Sequence, residues 1–94
     1  MFANRTKSGR ANIVGINIAR MRKQLKLSQR EVADRLTVIG LTIDKNAIQR
    51  MESGSRFITD IELLYIAKLF SVSVSALFIY EPIPDEVKLN TNEN

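Results

Sequence analysis

Apolar residues recur at helical spacing in several parts of the chain. Two sets form the buried faces that we predict for the first and fourth helices: Val14, Ile18, Met21 and Leu25 at i, i+4, i+7 and i+11, and Leu63, Ile66, Ala67 and Phe70 at i, i+3, i+4 and i+7. The first helix should span residues 13–25. Nowhere do apolar and polar residues alternate long enough to indicate a strand. The pattern therefore predicts an all-α protein.

Capping residues mark where the second and fourth helices should begin. Ser28 with Glu31, and Thr59 with Glu62, match the capping box, in which each side chain bonds the backbone N–H of the other residue. The buried side of the second helix should carry Val32, Ala33, Leu36 and Ile39. Gly40 is then placed to end that helix, because glycine is common just beyond a helix C-terminus.

The third helix carries the most informative pattern of the chain. Asp44 is its predicted N-cap, residues 45–53 form it, Ile48 and Met51 face inward, and Gly54 ends it in the left-handed conformation. The side chains left on its exposed side are Lys45, Asn46, Gln49 and Arg50. These are donors and acceptors of the kind that read base edges in a DNA major groove.

The chain should end in a short helix and a polar tail. Ser73 is placed to cap a fifth helix over residues 74–80, with Leu77 buried and Phe78 as a further candidate, and Pro82 to stop it. We therefore expect five helices in one domain.

Charge is distributed unevenly along the 94 residues, whose formal net charge is +4. Residues 1–26 carry seven basic side chains and no acid, whereas residues 81–94 carry four acids and one lysine. We accordingly divide the chain into a flexible basic arm (1–12), a folded domain (13–80) and an acidic polar tail (81–94). The asymmetry suggests a polyanionic partner on one side, although a charged surface that only maintains solubility would give the same composition.

Catalysis, metal binding and membrane insertion find little support in the sequence. The chain has no histidine and no cysteine, hence no ready general base near neutral pH and no soft metal site. It carries no glycine-rich phosphate loop or Gly-x-Ser-x-Gly elbow. No apolar run approaches the roughly 18 residues of a membrane span, and the start lacks a signal-peptide core. We expect a cytoplasmic, nucleoid-associated protein that is not an enzyme and uses no metal or cofactor.

Three segments in order resemble the phage lambda-repressor/Cro (XRE-type) helix-turn-helix family: 27–33 (LSQREVA), 48–54 (IQRMESG) and 66–73 (IAKLFSVS). The resemblance runs from about residue 14 to residue 78. It implies a five-helix, repressor-like DNA-binding domain in which the second and third helices form the helix-turn-helix. The third helix would then lie in the major groove.

The resemblance also implies roles for individual residues. The residues implied to read bases are Lys45, Asn46, Gln49 and Arg50, with Ala47 contacting a thymine methyl. The residues implied to contact phosphate are Gln29, Ser53, Ser55 and Arg56, and Gln29 could instead brace the third helix. Arg50 could also pair with an acid such as Asp34. Arg22 and Glu52 match a pair that forms an internal salt bridge in the family.

The sequence departs from the family between the second and third helices. The connector at residues 37–43 is about five residues longer than the usual short turn. Either the second helix runs one turn further, to Ile39, or the connector bulges outward. We favour the longer helix, because Val38 and Ile39 are apolar and Gly40 supplies a stop. A lesser departure is Ser71, where the family favours glycine.

These patterns lead to a functional hypothesis and an alternative. We expect a sequence-specific transcriptional regulator, a repressor, that binds double-stranded DNA at a palindromic operator as a homodimer. The residues expected at the dimer seam are Phe78, Ile79, Tyr80 and Ile83. The alternative is a protein-interaction module on the same fold, such as an antitoxin or phage accessory protein, whose C-terminal region binds a partner. A third hypothesis, a small hydrolase, is disfavoured because catalysis would have to proceed without histidine or cysteine.

Overall fold

A computed structural model describes residues 5–79, which are all-helical and contain no strand. The four α-helices are α1 (Val14–Gln24), α2 (Gln29–Val38), α3 (Lys45–Ser53) and α4 (Asp60–Phe70). A single 3-10 turn, Ser75–Phe78, follows α4. The predicted all-α fold is confirmed.

Side-chain caps determine where α2, α3 and α4 begin. In the α2 box, Ser28 Oγ accepts from Glu31 N at 3.0 Å while Glu31 Oε1 accepts from Ser28 N at 2.7 Å. Thr59 forms the same reciprocal box with Glu62 at the start of α4. At α3, Asp44 Oδ1 accepts from Ala47 N at 2.8 Å. Each such cap contributes about 1 kcal/mol by bonding an N–H that the helix itself leaves unpaired.

One apolar core joins the helices. Its most deeply buried side chains come from every α-helix and from the 3-10 turn: Ile18, Val32, Leu36, Ile48, Met51, Ile66 and Leu77. The predicted apolar faces lie in this core with one exception. Leu25, placed on the inner face of α1, is 54% exposed. The reason is that α1 ends at Gln24 and Lys26 adopts a left-handed conformation with φ of 59°, so Leu25 does not continue the helical face.

The longer second helix is what the structure contains. α2 extends to Val38, Ile39 caps its end, and Gly40 follows with φ of +118°. Val38 is 84% exposed, so the additional turn is held through Ile39, which packs on the core. Leu41 N also donates to Leu36 O at 2.9 Å, a bond typical of a glycine-terminated helix.

The predicted fifth α-helix is wrong in type and extent. Residues 75–78 form a 3-10 turn, in which Leu77 is fully buried and Phe78 is 47% exposed. Asn17, a buried residue of α1, donates its amide to the carbonyl oxygens of Leu77 and Ile79. These carbonyls are bonded across the domain and Ile79 is extended, so the turn does not continue as an α-helix. Tyr80 and Pro82 lie outside the described residues.

None of the helices in residues 5–79 is long and apolar enough to span a membrane.

Candidate nucleic-acid interface

α3 has one buried side and one exposed polar side. Ala47, Ile48 and Met51 face the core. The exposed side carries Lys45, Asn46, Gln49, Arg50 and Ser53. Within residues 5–79, the side chains of the first four form no hydrogen bond or ion pair, and Arg50 does not pair with Asp34. Four polar side chains among the first six residues of α3 are therefore available to an external partner.

Burial changes the interpretation of Ala47. A contact with a thymine methyl requires this side chain to be exposed, but Ala47 is only 6% exposed. It lies on the inward side of α3, next in sequence to the fully buried Ile48. We therefore remove Ala47 from the candidate base-reading residues.

The C-terminal end of α3 is attached to α1 and α2 by an ion-pair network. Arg22 Nε and Nη2 donate to the two carboxylate oxygens of Glu52 at 2.7 and 3.0 Å, and Arg22 Nη1 donates to Leu27 O at 2.9 Å. Gln29 Nε2 donates to Glu52 Oε1 at 2.9 Å. The hydrogen bond to Glu52 raises the pKa of the Arg22 guanidinium. The expected Arg22–Glu52 pair is thus present, and Gln29 takes the bracing role.

The sequence analysis missed a second attachment, made by residues before α1. Asn12 Nδ2 donates to Met51 O at 3.0 Å and to Arg56 O at 2.7 Å. Arg10 Nη2 donates to Glu52 O at 3.0 Å, and Ala11 N donates to Gly54 O at 2.6 Å. This part of the expected flexible arm is bonded to the end of α3. The contacts join residues about 40 positions apart, and a polar segment without periodicity carries no signal for them.

These bonds satisfy carbonyl groups that a helix cannot pair by itself. The last four carbonyls of an α-helix have no partner within it, and a cation near them also interacts favourably with the helix dipole. Arg10 supplies both a donor and a positive charge there. Asn12 connects the same place to α1, because its Oδ1 accepts from Gly15 N at 2.7 Å.

Gly15 allows α1 to approach the same end of α3. A Cβ atom at this position would lie 1.8 Å from Met51 O and 2.7 Å from Asn12 Oδ1. The first of these atoms belongs to the backbone and cannot move without displacing α3. The absence of a side chain at Gly15 therefore permits the contact that orients α3.

The side chains expected to contact phosphate from the loop after α3 already form hydrogen bonds within the domain. Arg56 Nη1 and Nη2 donate to the two oxygens of Glu62 at 3.0 and 2.8 Å. This pairing is the main cause that lowers the pKa of Glu62. Ser53 Oγ donates to Arg50 O at 3.2 Å and lies 3.2 Å from the exposed Ser55 Oγ. A phosphate contact by Arg56 would compete with an existing ion pair, whereas Ser53 and Ser55 are exposed and form only neutral hydrogen bonds.

The residues expected at a dimer seam are only partly described. Phe78 and Ile79 are 47% and 63% exposed, so both are available for a contact. Tyr80 and Ile83 lie outside the described residues.

Within residues 5–79 no cluster of three or more potential metal ligands occurs.

Comparison with known proteins identifies this arrangement. A family model described as Helix-turn-helix, of the XRE type typified by lambda repressor and Cro, matches residues 18–77, which include α2, α3 and α4. No curated protein and no solved structure matches the chain.

Proposed function

Since the chain belongs to the XRE-type helix-turn-helix family of DNA-binding regulators, we propose that it represses transcription by inserting α3 into the major groove of a palindromic operator as a homodimer. The observation that carries the proposal is the contrast on α3 between four unbonded polar side chains and a buried apolar side. Repression follows most simply, because a protein that occupies an operator needs no further contact to block transcription.

We assign base recognition to the exposed positions among the first six residues of α3. Asn46 and Gln49 carry amides that can bond adenine in two places, while Lys45 and Arg50 can donate to guanine. Each good base contact contributes about 1–3 kcal/mol of discrimination between sequences.

Phosphate contacts would supply most of the affinity. We propose Ser53 and Ser55 as phosphate ligands, since both are exposed beside α3. Gln29 and Arg56 are weaker candidates, because Glu52 and Glu62 already accept their donors. Binding should weaken steeply with salt, by about 0.9 units in the logarithm of affinity per logarithm of salt for each phosphate neutralised.

The decisive experiment is selection of bound sites from random double-stranded DNA. A homodimer should enrich a palindrome whose half-sites lie about one helical turn apart, roughly 34–36 Å. An enriched single half-site would contradict the homodimer and leave base recognition by α3 in place. No enrichment at low salt would contradict specific DNA binding and favour the protein-interaction alternative.

Gln49→Ala tests the assignment of the reading face. The variant should lose base preference at one operator position, worth about 1–3 kcal/mol, because it removes one amide from the exposed side of α3. Gln24→Ala is the matched control, since Gln24 is an exposed glutamine of α1 outside α3. Unchanged preference in Gln49→Ala across a site library would show that another face reads the bases.

A further inference from the structure

α4 is apolar on two sides, and only one of them is covered. Ile66 and Ala67 are buried in the core. On the other side, Ile61 and Leu64 are 61% and 63% exposed, and Phe57, just before the helix, is 55% exposed. A surface helix of a monomer usually presents polar side chains to water, and a cluster of exposed apolar residues marks an interaction surface.

Charged residues flank this apolar strip symmetrically. The exposed positions of α4 are Asp60, Ile61, Leu64 and Lys68, which fall within about 100° of the helix circumference. Asp60 lies four residues before Leu64 and Lys68 four residues after it, about 6 Å away in each direction. Neither charged side chain forms an ion pair or hydrogen bond with another residue in 5–79.

A face of this kind is complementary to itself. If two copies of α4 lie antiparallel with Leu64 at the centre, Asp60 of each copy meets Lys68 of the other. A two-fold axis requires this kind of reciprocity, in which the same patch serves both partners. We propose that the exposed face of α4 (Asp60, Ile61, Leu64 and Lys68) is the contact surface between two copies of this chain, with Leu64 on the two-fold axis.

The inference rests on the proposed homodimer and moves its seam away from the C-terminal residues expected from the sequence. The surface beside Ile79 is a cavity of about 280 Å³ whose polar lining is Asn17, Arg20 and Gln24. In the described part of the chain this lining contains no carboxylate, so the surface offers no reciprocal ion pair to a second copy of itself. The α4 face contains both signs of charge.

The contact should be weak in free solution. Stable dimers bury about 20–30 residues a side, and the α4 face offers only a few. Two half-sites on one DNA would hold two copies close together and raise their effective concentration. A test must therefore detect a transient dimer.

A cysteine at position 64 provides such a test, since the chain contains no cysteine. Helices in contact at 8–10 Å bring facing Cα atoms to about 3.5–5.5 Å, which overlaps the 4.4–6.8 Å that a disulfide spans. The oxidant diamide would take two electrons and two protons from two thiols to form one disulfide. Without DNA, full-length Leu64→Cys should cross-link at least tenfold faster than Val38→Cys, whose site is 84% exposed but lies on α2.

Charge reversal tests the pairing itself. In the Leu64→Cys background, Lys68→Glu should slow cross-linking on the order of tenfold, because it opposes two like charges across the axis. Combining Lys68→Glu with Asp60→Lys should restore most of the rate, with circular dichroism used to verify that each variant is folded.

Three outcomes would overturn the inference. Leu64→Cys could react no faster than Val38→Cys, which would mean that the α4 face is not a seam. It could react more slowly, which would mean that the chain's own residues cover the face. Phe78→Cys could react fastest, which would place the seam at the C-terminal residues. Each of these outcomes leaves binding of one protomer to one half-site intact, so the DNA assay distinguishes a failed seam from a failed function.

Discussion

The two ends of α3 differ in how their polar groups are used. At the N-terminal end, Asp44 caps the helix and the next polar side chains form no hydrogen bond or ion pair with a described residue. At the C-terminal end, Arg10 and Asn12 bond the backbone while Arg22 and Gln29 bond Glu52. The domain holds the C-terminal end in place, while the polar side chains of the N-terminal end remain exposed. This division predicts that substitutions at the two ends affect different measurements.

The largest effect on stability is expected from Gly15→Ala. Its Cβ would lie 1.8 Å from Met51 O, so α1 and α3 would have to separate. We expect the free energy of unfolding in urea to fall by about 3 kcal/mol or more. Lys23→Ala, at an exposed site on the same helix, should change it by less than about 0.5 kcal/mol. A loss below 1 kcal/mol for Gly15→Ala would show that the helices are further apart.

Glu52→Gln should come next. The Glu52 carboxylate accepts from Arg22 and Gln29 and is largely buried, so the change leaves the Arg22 charge without its partner. We expect a loss of about 2–3 kcal/mol in unfolding free energy, somewhat less than for a fully buried pair. The base preference of the folded fraction, measured by site selection, should stay the same. A changed preference would mean that this end of α3 also reads DNA.

A smaller loss should follow Asn12→Ala. The variant removes the donor to Met51 O and Arg56 O and the acceptor for Gly15 N, which together join the start of α1 to the end of α3 and the loop after it. Water can partly replace these bonds because the site is only half-buried, so we expect about 1–2 kcal/mol in chemical denaturation. Chemical denaturation of a variant lacking residues 1–9, which retains Asn12, supplies the comparison. An equal loss in that variant would assign the effect to the arm as a whole.

The smallest effect on stability is expected at the other end of α3, from Asn46→Ala. The Asn46 side chain bonds no described residue and alanine favours helices, so unfolding free energy should change by less than about 0.5 kcal/mol. Affinity for a selected operator should nevertheless fall by about 1–3 kcal/mol in a titration at constant salt. A stability loss comparable to that of Asn12→Ala would remove the distinction between the two ends.

The helix boundaries were predictable because their signals are local. The boxes of Ser28 and Thr59, and the stops at Gly40 and Gly54, depend on residues within one turn of each helix end. Ser71 stands where the resemblance to the family suggested glycine. It follows α4 in the left-handed conformation, with φ of 57°, which glycine adopts more easily than other residues. The preference for glycine at this position is therefore explained by the backbone conformation that ends α4.

Predictions failed where periodicity or residue type alone could not place a side chain or a helix. Leu25 follows the period of α1 but lies beyond the end of that helix, so periodicity alone placed it in the core. The 3-10 turn at the C-terminal end depends on the amide of Asn17, about 60 residues earlier in the chain. The Ala47 side chain is of a suitable type to contact a thymine methyl, but it lies on the buried side of α3.

The sequence by itself determined the all-α class, the positions of the four helices and the polar composition of α3, because propensity, capping and periodicity act over a few residues. Only the tertiary structure decided which polar side chains on and around α3 remain unbonded. Arg56 and Gln29 are as polar as Gln49, but they already donate hydrogen bonds to Glu62 and Glu52. Availability for DNA depends on what each side chain meets after folding, and those neighbours come from other parts of the chain.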